Sequence, residues 1–207
     1  AVGEPKARFA EDYSRMLRAI RFACQLDFEI EPATWRAIRA GVGQLNREVG
    51  GERVVPHEVI ARELVKAFHH HPVAALQLLD ASGLLEVTMP ELEKMKNCPQ
   101  PKQFHDEGDV WQHTILALTK LEAKEFHREF PPTGDHPKGD KISDEVIWAL
   151  LFHDLGKPYT MTVTDRIRFN GHDVKSAHLF REAAGRLRLF SAGLNTDLVE
   201  QIIAKHM

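Results

Sequence analysis

Cysteine is scarce in this chain of 207 residues: Cys24 and Cys98 are the only two. A disulfide framework and a paired-cysteine zinc site are therefore excluded, and a reducing compartment is expected. Long apolar runs are missing as well. No stretch approaches the roughly 20 residues that a bilayer span needs, and the first residues, AVGEPKARFAED, lack the apolar core of a secretion signal. A soluble, intracellular, cytoplasmic protein with no membrane partner is the expectation. An excess of charge is absent too. Against 30 Asp and Glu stand 27 Lys and Arg, so a wholesale nucleic-acid-binding surface is disfavoured, although a local basic stripe is not. With 13 Gly and 11 Pro spread along it, the chain is neither collagen-like nor disordered, and it contains no internal repeat. What it has in surplus is histidine, twelve in all, a common metal ligand and the side chain that titrates near neutrality.

The hydrophobic pattern is that of helices with short breaks, giving an all-α fold. Met16, Leu17, Ile20, Ala23 and Cys24 recur at three- and four-residue steps, as one face of a helix requires. Thr34 is a candidate cap for a helix running to Ala40, and Pro56 stands at a first helical position before a helix from His57 to Phe68. Another runs from Val73 to Ala81 and stops at Ser82-Gly83. Between Pro90 and Gly108 the periodicity fades into a linker-like stretch rich in Pro, Lys and acids. A domain boundary is expected there, separating 1–97 from 98–207. Asp109 then caps a helix bearing Val110, Ile115, Leu118 and Leu121, and 127–141 has the look of a mobile loop. Ser143-Asp144-Glu145 starts a helix that is apolar nearly all round, hence central and buried, and ended by Gly156 and Pro158. A short β-hairpin is allowed near 159–169, and helices are expected over Asp173 to Leu189 and Thr196 to His206.

The helix apolar nearly all round ends in FHDLGKP, which places His153 beside Asp154. An imidazole and a carboxylate together suit Zn, Mn, Fe, Ni or Mg. Adjacent residues on a regular helix point about 100° apart, so both can face one ion only where the helix ends or loosens, and Gly156 marks such a place. His113, His172 and His206 stand on other expected helices, and a site assembled from several helices is a sound way to hold a metal. Read singly, each is an ordinary core or surface histidine. His69, His70 and His71 at a helix end, His127 and His136 in the loop, and His178 on another helical face are read as structural or incidental.

His113, then His153-Asp154 followed by Leu-Gly-Lys, then His172 after Gly171, resembles the HD phosphohydrolase superfamily. The resemblance implies a divalent metal, of undetermined identity, held by His113, His153 and Asp154, and it implies a phosphate contact for Lys157. Members with two ions use further histidines, and His172 and His206 stand where those fall. The family's late metal-binding Asp has no clear counterpart. The alternative for Lys157 is a solvated lysine at a helix C-terminus.

In the first segment, Asp12 and Arg15 are three residues apart and would project from one helix face, an acceptor beside a forked donor. On its own such a pair is most simply a surface ion pair. The full segment RFAEDYSRMLRAIRFA resembles the class II tRNA nucleotidyltransferase and poly(A) polymerase family, and GGERVVPHEVIARELVKAF, ALQLLDASGLLEVTMPEL and EGDVWQHT continue the match in the family's order. The resemblance implies that Asp12 and Arg15 select the base of CTP or ATP by hydrogen bonding, with Arg18 and Arg21 holding the helix or touching triphosphate. It implies a helical neck and body followed by an HD domain truncated at its C-terminus. It also implies a catalytic head, with Mg held by paired carboxylates, that this sequence does not contain. The partner implied is tRNA or another RNA 3′ end. A stand-alone HD hydrolase of small nucleotides and a metal-free RNA-binding scaffold are the alternatives.

Overall fold

A computed structural model describes residues 3–101, 108–129 and 142–207. Among them are twelve α-helices and two small antiparallel hairpins, so the fold is all-α with minor β additions. No described helix is long and apolar enough to cross a membrane. The chain divides into two compact units, Ala1–Pro90 with Ala183–Leu194, and Glu91–Glu182 with Asn195–Met207.

The first unit holds α1 (Pro5–Glu11), α2 (Arg15–Leu26), α3 (Pro32–Gly41), α4 (His57–His70), α5 (Pro72–Ser82) and α6 (Leu84–Thr88). All five apolar positions read as one face of α2 are buried. That face packs on α4, whose Ile60, Leu64 and Phe68 are at most 1% exposed. Burial of such side chains contributes about 1.5–3 kcal/mol each, which exceeds any helix propensity difference along these segments. Thr34 is not a cap. Pro32 already has the φ that a first helical residue needs, so α3 starts there from Glu31, and the Thr34 hydroxyl donates back to Glu31 Oε2 at 3.3 Å. Pro56 is the cap of α4 and not its first residue, and α4 runs on to His70, where Pro72 opens α5. A hairpin absent from the expectations joins β1 (Glu48–Val49) to β2 (Glu52–Arg53) through Gly50 and Gly51, both at positive φ, as a tight two-residue turn requires.

The second unit holds α7 (Val110–Glu122), α8 (Lys124–Glu129), α9 (Asp144–Phe152), α10 (Lys157–Thr160) and α12 (Thr196–Ala204), and α11 (His172–Leu187) as far as Glu182. Asp109 caps α7 by accepting from the Gln112 amide at 2.8 Å, and Ser143 caps α9. Helix α9 packs on α7 and α12, and its Trp148 and Phe152 are fully buried, with Phe152 edge-on to Phe180 at 5.2 Å between ring centroids. The expected hairpin forms between β3 (Thr162–Val163) and β4 (Ile167–Arg168), preceded by the single turn of α10, which the reading of 159–169 as extended did not include.

A single cut at 97/98 differs from the division found: the first unit closes at Pro90, and Ala183–Leu194 returns to it, burying Leu187 and Leu189. The linker-like stretch carries a 3-10 helix over Pro90–Met95. Helix α8 occupies the start of the expected 127–141 loop, and 130–141 and 102–107, with His136, lie outside the described residues.

Candidate metal centre

Helix α9 ends at Phe152, and the chain tightens there: the Leu155 amide donates to Phe152 O at 3.1 Å and the Lys157 amide to Asp154 O at 3.0 Å. These three-residue bonds loosen the α geometry at His153-Asp154, as the adjacent pair needs. Gly156 lets α11 come close. Its amide donates to Ser176 Oγ at 2.7 Å, and a Cβ at this position would lie 2.2 Å from His172 O. The close approach delivers His172, the first residue of α11, to Asp154.

Asp154, 2% exposed, is the hub. Its Oδ2 lies 3.1 Å from His153 Nε2 and 3.6 Å from His113 Nε2. Its Oδ1 lies 3.3 Å from His172 Nε2 and 3.8 Å from His206 Nε2. The four histidines come from the first turn of α7, the end of α9, the start of α11 and the segment after α12. Sequence reasoning named all of them, and the structure brings them to one carboxylate.

Three of the four imidazoles are held in the same way. Nδ1 of His153, His172 and His206 faces the backbone oxygen of Leu150, Phe169 and Ile203 at 2.7, 2.8 and 2.6 Å. A carbonyl only accepts, so each Nδ1 carries the proton, and Nε2 in the neutral ring presents a lone pair toward Asp154. Lone pairs converging on a carboxylate repel unless a cation lies among them or the rings are protonated. This carbonyl-held orientation is the outer-shell arrangement that metal-ligating histidines use. The donor set therefore fits a divalent ion, in two overlapping groups, His113, His153 and Asp154, and Asp154, His172 and His206. Among the described residues these groups contain no other carboxylate, in keeping with the missing late Asp.

Burial works against the ionised form of Asp154, yet with the rings protonated on both nitrogens the hydrogen bonds from His153, His172 and His206 outweigh it and hold the carboxyl far below the usual range. The same contact pushes His206 up, against the effect of its burial.

Lys157 is not a solvated C-terminal lysine. It begins α10, is 7% exposed, and its Nζ lies 2.7 Å from Asp154 Oδ2 and donates to Gln100 Oε1 at 2.7 Å. Gln100, 5% exposed, was not foreseen, because nothing in the composition of its Pro-rich surroundings sets it apart.

Asp12 and Arg15 do not project from one helix face. Asp12 lies in extended backbone after α1, and its Oδ1 accepts from the Ser14 amide at 2.9 Å, while Arg15 is the first residue of α2. An Asp with its own turn to close leaves the helix, as short polar side chains do. Arg15 is bound to Arg8 O at 2.8 Å and to Glu11 Oε2 at 2.5 Å. Asp12 lines a cavity of about 250 Å³ with Ser14, Arg62 and Glu63, whereas Arg15 lines one of about 550 Å³ with Phe9 and Phe22, and Arg18 borders both. Arg21 belongs to the core: its Nε donates to Glu63 Oε2 at 2.7 Å, with side chains only 12% and 8% exposed.

Comparison with known proteins agrees with both halves. Residues 27–96 match the model of a probable RNA and SrmB-binding site of polymerase A, and residues 110–207 match the HD domain. The chain thus carries a polymerase-A-type RNA-binding segment followed by an HD domain. It is 34% identical over 183 residues to a multifunctional CCA protein of Azoarcus sp. (strain BH72), covering 87% of this chain and 39% of that protein. It is 31% identical over 201 residues to an A-adding tRNA nucleotidyltransferase of Deinococcus radiodurans, covering 95% and 42%. A multifunctional CCA protein of Neisseria gonorrhoeae is 32% identical over 182 residues, at 87% and 39%. The two segments stand in this order along the chain, which spans about two fifths of the length of the curated relatives it matches.

Proposed function

We propose that this chain is the nucleotide-selecting and HD portion of a cytoplasmic enzyme that adds nucleotides to the 3′ end of tRNA or a similar RNA, and that its HD centre hydrolyses a phosphate ester. The observation that carries the second half is the convergence of four Nε2 atoms on the two oxygens of the buried Asp154. His113 and His153 would hold an ion on one oxygen, His172 and His206 on the other. When bound, a divalent ion supplies Lewis acidity toward a phosphoryl oxygen and lowers the pKa of water. The chain's own groups do the rest. Backbone carbonyls of Leu150, Phe169 and Ile203 fix three of the rings, Lys157 sets a positive charge at the shared carboxylate, and the buried walls keep the charge of a phosphate from being screened. The substrate proposed is a 2′,3′-cyclic phosphate or a phosphomonoester at an RNA end.

In the first unit, Asp12 and Arg15 are proposed to meet the base of CTP or ATP from either side of Arg18, whose guanidinium has no ion-pair partner among the described residues. Nucleotidyl transfer itself belongs to the whole protein, with Mg.

Metal content of the purified chain, together with hydrolysis of a 2′,3′-cyclic nucleotide with added Mn, Ni, Mg or Zn, tests the HD reading. Wild type should bind metal and turn over, and His153→Ala should lose turnover together with the ion of its own group. The competing reading, a metal-free RNA scaffold, draws on Lys157 standing as Asp154's counter-charge; absence of metal and turnover with every ion would establish it. In the full-length protein, Asp12→Ala and Arg15→Ala should relax the choice between CTP and ATP, and an unchanged choice sinks the selecting role.

A further inference from the structure

Lys157 and Gln100 make a buried pair that metal binding alone leaves incomplete. Lys157 Nζ lies 2.7 Å from Asp154 Oδ2 and donates to Gln100 Oε1 at 2.7 Å. An ammonium has donors only, so the Gln100 amide must present its oxygen to it, and this fixes which way the amide faces. The amide nitrogen, with two N–H groups, is therefore turned away from Lys157. It is buried and, among the described residues, has no acceptor. A native structure rarely leaves an amide donor in that state, and the missing partner has to be an acceptor. A metal ion cannot fill that role, because an N–H group repels a cation. An oxygen of an anion can.

We propose that Gln100 Nε2 and Lys157 Nζ form an oxyanion subsite beside the His-Asp cluster, and that its ligand is a phosphoryl group. The proposal rests on reading the cluster as a phosphoester-handling metal centre. Gln100 reaches Asp154 through a single ammonium, so an oxygen accepting from Nε2 would belong to a group bound at the cluster. Lys157 is already shared between two acceptors, and a neutral amide donor adds contact without adding charge that would compete with the ion. Phosphoryl oxygens accept several hydrogen bonds at once, so one phosphoryl group can accept from the ammonium and from the amide.

Calorimetric titration of inorganic phosphate into the Mn-loaded chain tests this, with acetate as a second anion and with Mn affinity and thermal unfolding measured for each variant. Gln100→Glu keeps an acceptor for Lys157 but has no N–H, and Gln100→Met keeps the volume without either. Wild type should bind phosphate in preference to acetate. Gln100→Met should bind it roughly tenfold more weakly and Gln100→Glu weaker still, with Mn affinity held within about threefold. Equal phosphate affinity in wild type and both variants overturns the subsite and leaves the metal centre standing. Parallel loss of Mn and phosphate in Gln100→Glu also overturns it, assigning Gln100 to support of the metal site. Failure of wild type to bind phosphate at all removes the phosphoester reading together with the subsite.

Discussion

Arg21 and Glu63 show how a single residue can be read for either of two jobs. Arg21 is one of a row of arginines on α2, yet its guanidinium sits in a nearly dry pocket against Glu63. Breaking such a pair from one side strands a buried charge, which costs about 3–5 kcal/mol, whereas replacing both partners with apolar groups of similar volume is close to neutral. Arg21→Met should therefore lower the unfolding free energy by about 3 kcal/mol, and Arg21→Met with Glu63→Leu should restore most of it, as denaturant titration would show. His57, the first residue of α4, is a second case. Burial, and then Arg53, Arg186 and Arg188, push its pKa below 6.5, and its Nδ1 is buried without a partner among the described residues. The unfolded chain then binds more protons between the lowered value and 6.5, so stability rises with pH through that window and is lost as pH falls. His57→Gln should flatten the pH dependence of the melting temperature there; an unchanged slope would assign it to other groups. At this scale the His-Asp cluster was legible, because His153-Asp154 is an unusual pair to find at the end of an apolar helix and each further histidine follows a recognisable break. The Asp12–Arg15 geometry was not, because spacing of three means a shared face only if both residues are helical, and Asp12 closes a turn of its own. Gln100 carried no signal, since its importance comes from where Lys157 folds to.

Among the elements, the turn between α9 and α10 does the most for the site. A methyl group on Gly156 would strike His172 O at 2.2 Å and Ser176 at 2.8 and 2.9 Å, and the first two of these contacts are with backbone that cannot rotate away. Gly156→Ala should destabilise the second unit by about 1–3 kcal/mol. It should also weaken metal binding by displacing His172, a loss that an exposed glycine such as Gly185, with nothing near it, would not reproduce on the same substitution. Thermal unfolding and metal affinity, measured together, separate the two effects. Asp109 serves α7 twice: one oxygen accepts from the Gln112 amide at 2.8 Å and the other from the Asn97 amide at 2.7 Å. Most helices were legible from the three- and four-residue apolar step, which reports burial of a face directly. Their starts were less so, because Pro32 and Thr34 both carry start signals and only packing decides between them. The β1–β2 hairpin was marked by Gly50-Gly51 without enough apolar alternation around it to be read as strands. The return of Ala183–Leu194 to the first unit could not be read at all, since a helical pattern gives the face that is buried and not the unit that buries it.

For the molecule as a whole, the residues of the candidate metal centre run from His113 to His206, across nearly all of the second unit, with Asp154 common to both groups. An ion that binds only when these segments are folded together stabilises the unit by mass action, about 2.7 kcal/mol at a free concentration a hundred times Kd. Added Mn or Ni should therefore raise the melting temperature of the chain in a concentration-dependent way, and chelation should reverse it. The two groups differ in what they share. His113→Ala removes a ligand from one group only and His172→Ala from the other, so each variant should retain about one ion where wild type binds two, by metal content per chain after dialysis. Asp154→Asn removes the charge on which both groups converge and should bind neither, with no metal-dependent rise in melting temperature. If Asp154→Asn still retained two ions, the carboxylate would not be the shared ligand, and the convergence of four imidazoles upon it would have to be explained by their protonated forms instead.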